Sequence, residues 1–177
     1  TKGVRANGAT KYKIGSISKT FTATMIMQLV EEKKIVLTTK LNRFFPKIDQ
    51  SDKITIEHLL YQRTGIKDYA NADATLTDVL GKPNTKELIL KKIENYSSMF
   101  EPDSQHEYSN SNYFILGLII EKVTKKSFAE NLKTRISDKL ELKNTYYTNE
   151  KTDVTKRESY SYTFNGEYWD KIDEWNN

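Results

Sequence analysis

Residues 12–32 constrain this chain more than any other stretch, because their apolar side chains recur at the spacing of an α-helix. Intervals of three and four residues separate the members of this apolar stripe, which are Ile17, Phe21, Met25, Ile26, Leu29 and Val30. The stripe predicts a long helix with one face packed against the rest of the domain. A Ser-x-x-Lys motif, made of Ser16 and Lys19, stands at the start of this helix and follows Gly15.

The position of this motif suits nucleophilic catalysis. Ser16 and Lys19 are one helical turn apart, so their side chains share a face. A serine hydroxyl is a weak nucleophile until a base takes its proton, and a desolvated lysine can be that base or tune another one. The helix N-terminus favours negative charge, which suits an oxyanion. The ordinary alternative is that Ser16 is a helix N-cap and Lys19 is a solvated surface residue.

Three stretches of the chain resemble signatures of one family. Residues 14–23 read I-G-S-I-S-K-T-F-T-A and are similar to the nucleophile segment of the serine β-lactamase and penicillin-binding protein superfamily, in its class C β-lactamase and DD-peptidase branch. Residues 100–117 match the family pattern F-x-P-G-x-x-x-x-Y-S-N-x-x-Y-x-x-L-G, with Asp103 in place of the glycine. Residues 54–69 resemble I-x-x-x-H-L-L-x-H-T-S-G-L but depart from it at Gln62, Arg63 and Thr64.

The resemblance implies a role for each residue of the site. Ser16 would be the nucleophile, and Tyr108 would be the general base or share that role with Lys19. A tyrosine has a pKa near 10, and a neighbouring ammonium favours its phenolate form. Asn110 would bind the acyl-side amide of the substrate and orient Lys19. Three Tyr-x-Asn triplets occur, so only the surrounding signature selects Tyr108 over Tyr69 and Tyr147.

The third motif of the family, Lys-Thr-Gly or His-x-Gly on a strand, is absent from this chain. Residues 63–65 imitate it, but they precede Tyr108 and stand at a predicted helix end. The resemblance covers nearly the whole chain and only the front part of the family's domain. We therefore expect a C-terminally incomplete domain that continues past Asn177. His58 is expected to be a packing residue with satisfied hydrogen bonds rather than a catalyst.

Composition excludes several other classes of protein. The 177 residues suffice for one domain, and the 28 basic and 24 acidic residues are interspersed, which gives no support for nucleic-acid binding. No run of 18 apolar residues predicts a transmembrane segment. The absence of cysteine excludes disulfides and thiolate metal sites, and two histidines do not make a histidine-rich metal site.

The resemblance implies an α+β fold of the β-lactamase/transpeptidase type, in which a mostly helical subdomain packs beside an antiparallel sheet. We expect one domain over residues 1–177. Residues 1–35 would hold a strand and the nucleophile helix, residues 36–140 the helical subdomain, and residues 141–177 the return to the β region.

Local signals predict the individual elements. Helices are expected after the N-cap Thr55 with Gly65 as its C-terminal cap, from Asn84 and Thr85 to about residue 95, after Tyr108, and from the Ser127–Glu130 capping box to about residue 140. Extended structure is expected at residues 10–14, 145–148 and 159–169, with a hairpin turn at Asn165 and Gly166.

The function that the resemblance implies is a serine acyl-transfer hydrolase acting on D-amino-acid peptides, β-lactams or small esters. It would need no metal or organic cofactor, and its partner would be a small-molecule or peptide substrate. A periplasmic or extracellular location in a bacterium follows from the same resemblance. Two alternatives stay open: a penicillin-binding or sensor homologue that is acylated without turnover, and a structural helical domain in which the motifs are accidental.

Overall fold

The computed structural model of the chain describes residues 5–70, 85–148, 150 and 152–172. Five α-helices lie within these ranges: α1 (Ser18–Glu31), α2 (Ile56–Leu60), α3 (Lys86–Glu94), α4 (Asn110–Thr124) and α5 (Phe128–Leu132). Two strands, β1 (Ser161–Phe164) and β2 (Trp169–Ile172), form an antiparallel hairpin. The expected α+β fold with a mostly helical part is confirmed. Within the described ranges, no helix has the length and apolarity needed to cross a bilayer.

Helices α1 and α4 form the centre of the core. Fully buried side chains line both helices, Met25, Ile26 and Leu29 on α1 and Ile115, Leu116, Ile119 and Ile120 on α4. Helix α4 contacts α2 and α5 as well as α1. Burying each such side chain contributes about 1.5–3 kcal/mol, so this pairing fixes the two helices against each other. The apolar stripe predicted for residues 12–32 is therefore a core face from Phe21 to Val30, whereas its first member, Ile17, is 66% exposed and the prediction is wrong there.

The predicted helix starts are confirmed at three N-caps. The Thr55 and Thr85 hydroxyl oxygens accept hydrogen bonds from the backbone N–H groups of His58 and Leu88. Ser127 and Glu130 form the expected capping box. Asn84, which was expected to contribute to the second of these starts, lies outside the described residues.

The helix predicted from residue 127 to about 140 is shorter than expected. Helix α5 ends at Leu132 and passes into a π-helical turn, Lys133–Ser137. Two contacts join this wider turn to the C-terminal end of α1. The Arg135 carbonyl accepts a hydrogen bond from Gln28, and the Arg135 guanidinium pairs with Glu32 at 2.6 Å. Such contacts with a distant helix are not visible in local propensity.

Of the three predicted extended segments, only residues 159–169 contain strands, which belong to the hairpin of β1 and β2. Residues 10–14 contribute a single parallel bridge, between Lys11 and Glu158, and residues 145–148 form no strand. The hairpin is confirmed, with Phe164 paired to Trp169 and Gly166 in the turn at φ 103°. Residues 173–177 of the predicted β region lie outside the described residues.

The residue after α2 that adopts the left-handed conformation is Gln62 (φ 60°), so the prediction that Gly65 caps this helix is wrong. Gly65 also has a positive φ, 78°, but it serves a close approach between two segments. A Cβ atom there would lie 2.2 Å from the carbonyl oxygen of Phe100. The Gly65 carbonyl accepts a hydrogen bond from the Met99 N–H at 2.8 Å, which holds the two segments together.

Replacing Gly65 with alanine is therefore expected to lower the free energy of unfolding by about 2–5 kcal/mol, since it adds overpacking to a left-handed backbone. Denaturant unfolding of the variant measures this. The matched control is Gly8→Ala, because a Cβ at Gly8 meets nothing within 4 Å. Equal unfolding midpoints for the two variants would contradict the prediction.

Candidate active site

Four polar side chains meet where α1 and α4 begin. Ser16 lies in the 3-10 turn Gly15–Ile17 that leads into α1, and Lys19 lies in the first turn of α1. Tyr108 precedes α4 by two residues, and Asn110 is its first residue. The structure thus brings together all four residues that the sequence singled out, across 92 positions of chain between Ser16 and Tyr108.

Hydrogen bonds connect the four side chains into one closed set. Ser16 Oγ lies 2.9 Å from Tyr108 OH. Lys19 Nζ donates to Ser16 Oγ at 3.3 Å and to Asn110 Oδ1 at 2.8 Å. Tyr108 OH donates to Asn110 Oδ1 at 3.2 Å.

The number of protons in this set gives the Ser16–Tyr108 hydrogen bond a direction. A neutral phenol has one proton to donate. When Tyr108 donates it to Asn110 Oδ1, the remaining bond to Ser16 needs the serine hydroxyl as donor. The Ser16 proton then points at the Tyr108 oxygen, while Lys19 donates to the Ser16 oxygen from another side. The Ser16 proton is thus directed at the Tyr108 oxygen, and its transfer needs the phenolate form of Tyr108, which has given up the proton donated to Asn110 Oδ1.

Opposing effects act on the pKa of Tyr108. Partial burial raises this pKa, and interactions with the Lys19 ammonium and the Ser16 hydroxyl lower it. The negative charge of Asp68 raises it further, yet the net result is a pKa below that of an ordinary tyrosine. The Lys19 ammonium lies 4.9 Å from the centre of the Tyr108 ring. Tyr108 is 45% exposed, so an external molecule can reach the hydroxyl groups.

The turn before α1 sets the position of Ser16. Gly15 has φ 50°, a conformation that glycine adopts without the steric cost of a Cβ. Open space surrounds the site where a Cβ would be, so the backbone conformation accounts for the glycine. The Ser18 hydroxyl donates to the Gly15 carbonyl at 2.6 Å and closes the turn. The side chains of Ser16 and Ser18 therefore have different partners.

A buried polar network fastens the segment that carries Tyr108 and Asn110. Gln62 Oε1 accepts from the Ser109 N–H at 3.1 Å and from Asn112 Nδ2 at 2.6 Å. Thr64 donates to Asn112 Oδ1 at 2.6 Å. Gln62 and Thr64, two of the residues that differ from the family pattern, thus hold the N-terminus of α4 through buried hydrogen bonds. The third departure, Arg63, pairs with Asp103, the residue that replaces the family glycine and has φ 70°.

Sequence reasoning missed two residues near the site. Asp68 accepts hydrogen bonds from the backbone N–H and from Nδ2 of Asn110. The centre of the Tyr113 ring lies 5.8 Å from Lys19 Nζ, and Tyr113 is one helical turn after Asn110 in α4. Tyr113 could have been found as the second tyrosine of the residue 100–117 signature, whereas no local signal links Asp68 to Asn110.

His58 differs from its expected state. It is half-buried at α2, and its Nδ1 atom is buried without a hydrogen-bond partner among the described residues. The described residues thus supply no hydrogen bond to this nitrogen, which the prediction of a satisfied packing residue requires. Within the described ranges, no group of three or more histidine or acidic side chains is arranged to hold a metal ion.

Comparisons with known proteins agree on one family. The family model described as Beta-lactamase matches residues 1–176. Protein flp of Staphylococcus aureus (strain MW2) is 34% identical over 152 residues, which are 82% of this chain and 30% of that protein. Teichoic acid D-alanine hydrolase of Staphylococcus aureus is 30% identical over 155 residues, 84% of this chain and 36% of that protein.

A solved structure is similar over nearly the same span. The structure of D-amino acid amidase from Ochrobactrum anthropi SV3 complexed with L-phenylalanine amide superposes with a TM-score of 0.86 at 26% identity. The match covers 98% of this chain and 50% of the amidase chain. The chain thus spans about a third of the curated relatives it matches and half of this structural neighbour.

Proposed function

Since the chain belongs to the Beta-lactamase family, we propose that it carries the nucleophile of a serine hydrolase that acts through an acyl-enzyme on Ser16. The observation that carries this proposal is the closed set of hydrogen bonds in which Ser16 contacts Tyr108 at 2.9 Å and Lys19 at 3.3 Å. Nucleophile and base within such reach of each other, with a third group orienting the base, are the mark of an activated serine.

In the acylation step, Ser16 Oγ attacks the substrate carbonyl carbon and its proton passes to the Tyr108 oxygen. The carbonyl oxygen gains the negative charge of a tetrahedral intermediate, which the N-terminal end of α1 favours. When the intermediate collapses, the bond to the leaving nitrogen or oxygen breaks. Tyr108 returns its proton to that leaving group, and the ester on Ser16 remains.

In the deacylation step, the same groups act on water. Tyr108 takes a proton from a water molecule whose oxygen attacks the ester carbonyl, and the proton returns to Ser16 Oγ as the ester bond breaks. Lys19 keeps its charge in this scheme and lowers the pKa of Tyr108, a role supported by its contacts with both Ser16 and Asn110. Asn110 would hold the substrate's acyl-side amide. The products are a carboxylic acid and the free enzyme.

The substrate class in this proposal is an acyl donor with a D-amino acid, with β-lactams and small esters as further candidates. The names of two relatives support it, because one is a D-amino acid amidase and the other a teichoic acid D-alanine hydrolase. An envelope location, periplasmic or extracellular, is part of the same proposal, since teichoic acid is a cell-envelope polymer.

Intact mass spectrometry of the full-length natural protein tests the proposal. After incubation with a fluorescent penicillin or a fluorophosphonate, we expect one adduct, and peptide mapping should place it on Ser16. Matched D- and L-alanyl esters then test the substrate class, with faster release of the acid expected from the D form.

The persistence of the penicillin adduct separates the hydrolase from a homologue that is acylated without turnover. Loss of the penicillin adduct with time, together with multiple turnovers of an ester, supports the hydrolase; the fluorophosphonate adduct is a phosphonate ester that no deacylation step removes. A stable adduct without turnover supports the penicillin-binding or sensor homologue. A folded full-length protein that gives no adduct on Ser16 with either reagent would overturn the proposed function.

A further inference from the structure

A carboxylate outside the four-residue set hydrogen-bonds to one of its members. Asp68 Oδ2 accepts a hydrogen bond from Asn110 Nδ2 at 3.0 Å. Asp68 Oδ1 accepts from the Asn110 backbone N–H at 3.2 Å and from the Ala70 N–H at 3.0 Å. Asp68 thus contacts both the main chain and the side chain of the first residue of α4.

The orientation of the Asn110 amide decides what the site can do. Its Oδ1 accepts from Lys19 Nζ at 2.8 Å and from Tyr108 OH at 3.2 Å. If the amide turned by half a rotation, its NH₂ group would face the Lys19 ammonium, and Tyr108 would lose its acceptor. A carboxylate only accepts hydrogen bonds, so Asp68 can pair with the NH₂ end and not with the oxygen.

The Nδ2 group has two protons, and the bond to Asp68 uses one of them. The other proton remains available to a carbonyl oxygen on the substrate. Fixing the NH₂ group on Asp68 therefore also fixes the direction in which Asn110 offers its second proton.

We propose that Asp68 is a positioning residue that locks the Asn110 amide with its oxygen toward Lys19 and Tyr108 and its NH₂ group toward the substrate. This inference rests on the proposed function, because it assigns the purpose of the lock to acylation of Ser16. Asp68 acts on the site through Asn110 and neither gives nor takes the transferred proton, although its charge also raises the pKa of Tyr108.

Other hydrogen bonds besides the one between Asp68 and Asn110 hold residues 67–69 against α4. Ser111 donates to the Lys67 carbonyl at 2.7 Å and accepts from the Tyr69 N–H at 3.0 Å. Ser111 thus ties the residues on both sides of Asp68 to α4 without contacting a side chain of the site. Ser111→Ala removes two hydrogen bonds from the same junction and is the matched control for a change at Asp68.

The test variant is Asp68→Asn, which keeps the shape and changes one oxygen into a donor. If the remaining oxygen stays with the backbone N–H groups, the new NH₂ group opposes the NH₂ group of Asn110. If the new amide turns, both backbone bonds lose their acceptor. The first arrangement removes the lock, and the second keeps an oxygen at Asn110 Nδ2 but releases the backbone N–H groups of Asn110 and Ala70, so either one loosens the hold on Asn110. We expect acylation of the full-length protein by a fluorescent penicillin to slow by about 10- to 100-fold, in line with the cost of small misplacements in active sites.

A spectroscopic readout tests the geometry without relying on activity. In ¹H–¹⁵N spectra of asparagine-labelled protein, the Asn110 side-chain amide is assigned by its loss in Asn110→Ala. We expect its signals to move in Asp68→Asn, where the carboxylate acceptor is gone, and to stay near their wild-type positions in Ser111→Ala. The control should also acylate within about twofold of wild type while losing thermal stability, because Ser111 bonds to the backbone of residues 67 and 69 and its removal leaves the Asp68–Asn110 hydrogen bonds in place.

Acylation of Asp68→Asn within about twofold of wild type would overturn the inference while leaving the proposed function intact. An equal loss of rate in Ser111→Ala would also overturn it, because loop stability would then explain the effect. If wild-type protein forms no adduct on Ser16, the proposed function fails, and the role of Asp68 in acylation fails with it.

Discussion

The Ser16→Ala variant of the full-length protein is expected to acylate at least about 10⁴ times more slowly than wild type, because removal of the nucleophile from a unit of cooperating residues removes most of its rate. Ser16 Oγ is the atom on which Tyr108 and Lys19 converge, at 2.9 Å and 3.3 Å. Alanine leaves no oxygen to attack the carbonyl. Adduct formation with a fluorescent penicillin, followed by intact mass against time, measures the effect.

Ser18→Ala is the matched control for this change, since it removes another serine hydroxyl only two residues away. The Ser18 hydroxyl donates to the Gly15 carbonyl and makes no hydrogen bond with Lys19 or Tyr108 within the part of the chain that the structure describes. Its removal should cost about 0.5–1.5 kcal/mol of stability and leave the adduct in place. An adduct at wild-type rate in Ser16→Ala, mapped to another residue, would refute the assignment of the nucleophile.

The part of the site that could be predicted from sequence is the part that helical geometry fixes. Ser16 and Lys19 are three positions apart at a helix start, so their side chains share a face in any fold that forms the helix. Asn110 stands at the start of a second buried helix, and Tyr108 two residues before it. The family signatures then indicated which two helix starts meet, and the structure has them in contact.

Other features depend on contacts between distant segments, which local patterns do not encode. Gly65 was expected to end a helix, whereas its left-handed conformation lets the Phe100 carbonyl approach. Gln62 departs from the family pattern, yet its side chain and its left-handed backbone both support the segment before α4. Asp68 bonds to Asn110 across 42 positions of chain, and nothing in its immediate sequence indicates that partner.

These long-range contacts divide the site into two parts that differ in what holds them, beyond the packing that α1 and α4 share. The α1 part, with Ser16 and Lys19, is held by apolar packing of α1 and the turn at Gly15. The α4 part, with Tyr108 and Asn110, is held by hydrogen bonds from residues 62–69. Changes in residues 62–69 should therefore act on the base and its orientation and leave the nucleophile in position.

Tyr108→Phe is the second change with a large expected effect. It keeps the ring over Lys19 and removes the oxygen that is 2.9 Å from Ser16. Loss of a general base that takes and returns the transferred proton should slow acylation by about 10²–10⁴-fold. Stopped-flow fluorescence with a fluorescent penicillin measures the acylation rate of the full-length variant.

The pH dependence of acylation should report the same residue. The phenolate is the base, so the rate is fully present above the pKa of Tyr108 and is lost as the pH falls through it. Burial raises this pKa, but the Lys19 ammonium and the Ser16 hydroxyl lower it more, even against the charge of Asp68. In wild type, the alkaline rise in rate should therefore have its midpoint below about 10, the pKa of free tyrosine. Tyr108→Phe should lose this rise.

Tyr147→Phe is the control, because Tyr147 begins another Tyr-x-Asn triplet and differs in its environment. Burial raises the pKa of Tyr147, and its ring packs on Phe128 at 5.4 Å between centroids. We expect Tyr147→Phe to keep both the rate and the pH midpoint of wild type. If Tyr108→Phe also keeps both, the proton of Ser16 goes elsewhere. Lys19, which contacts Ser16 Oγ directly, would then be the base.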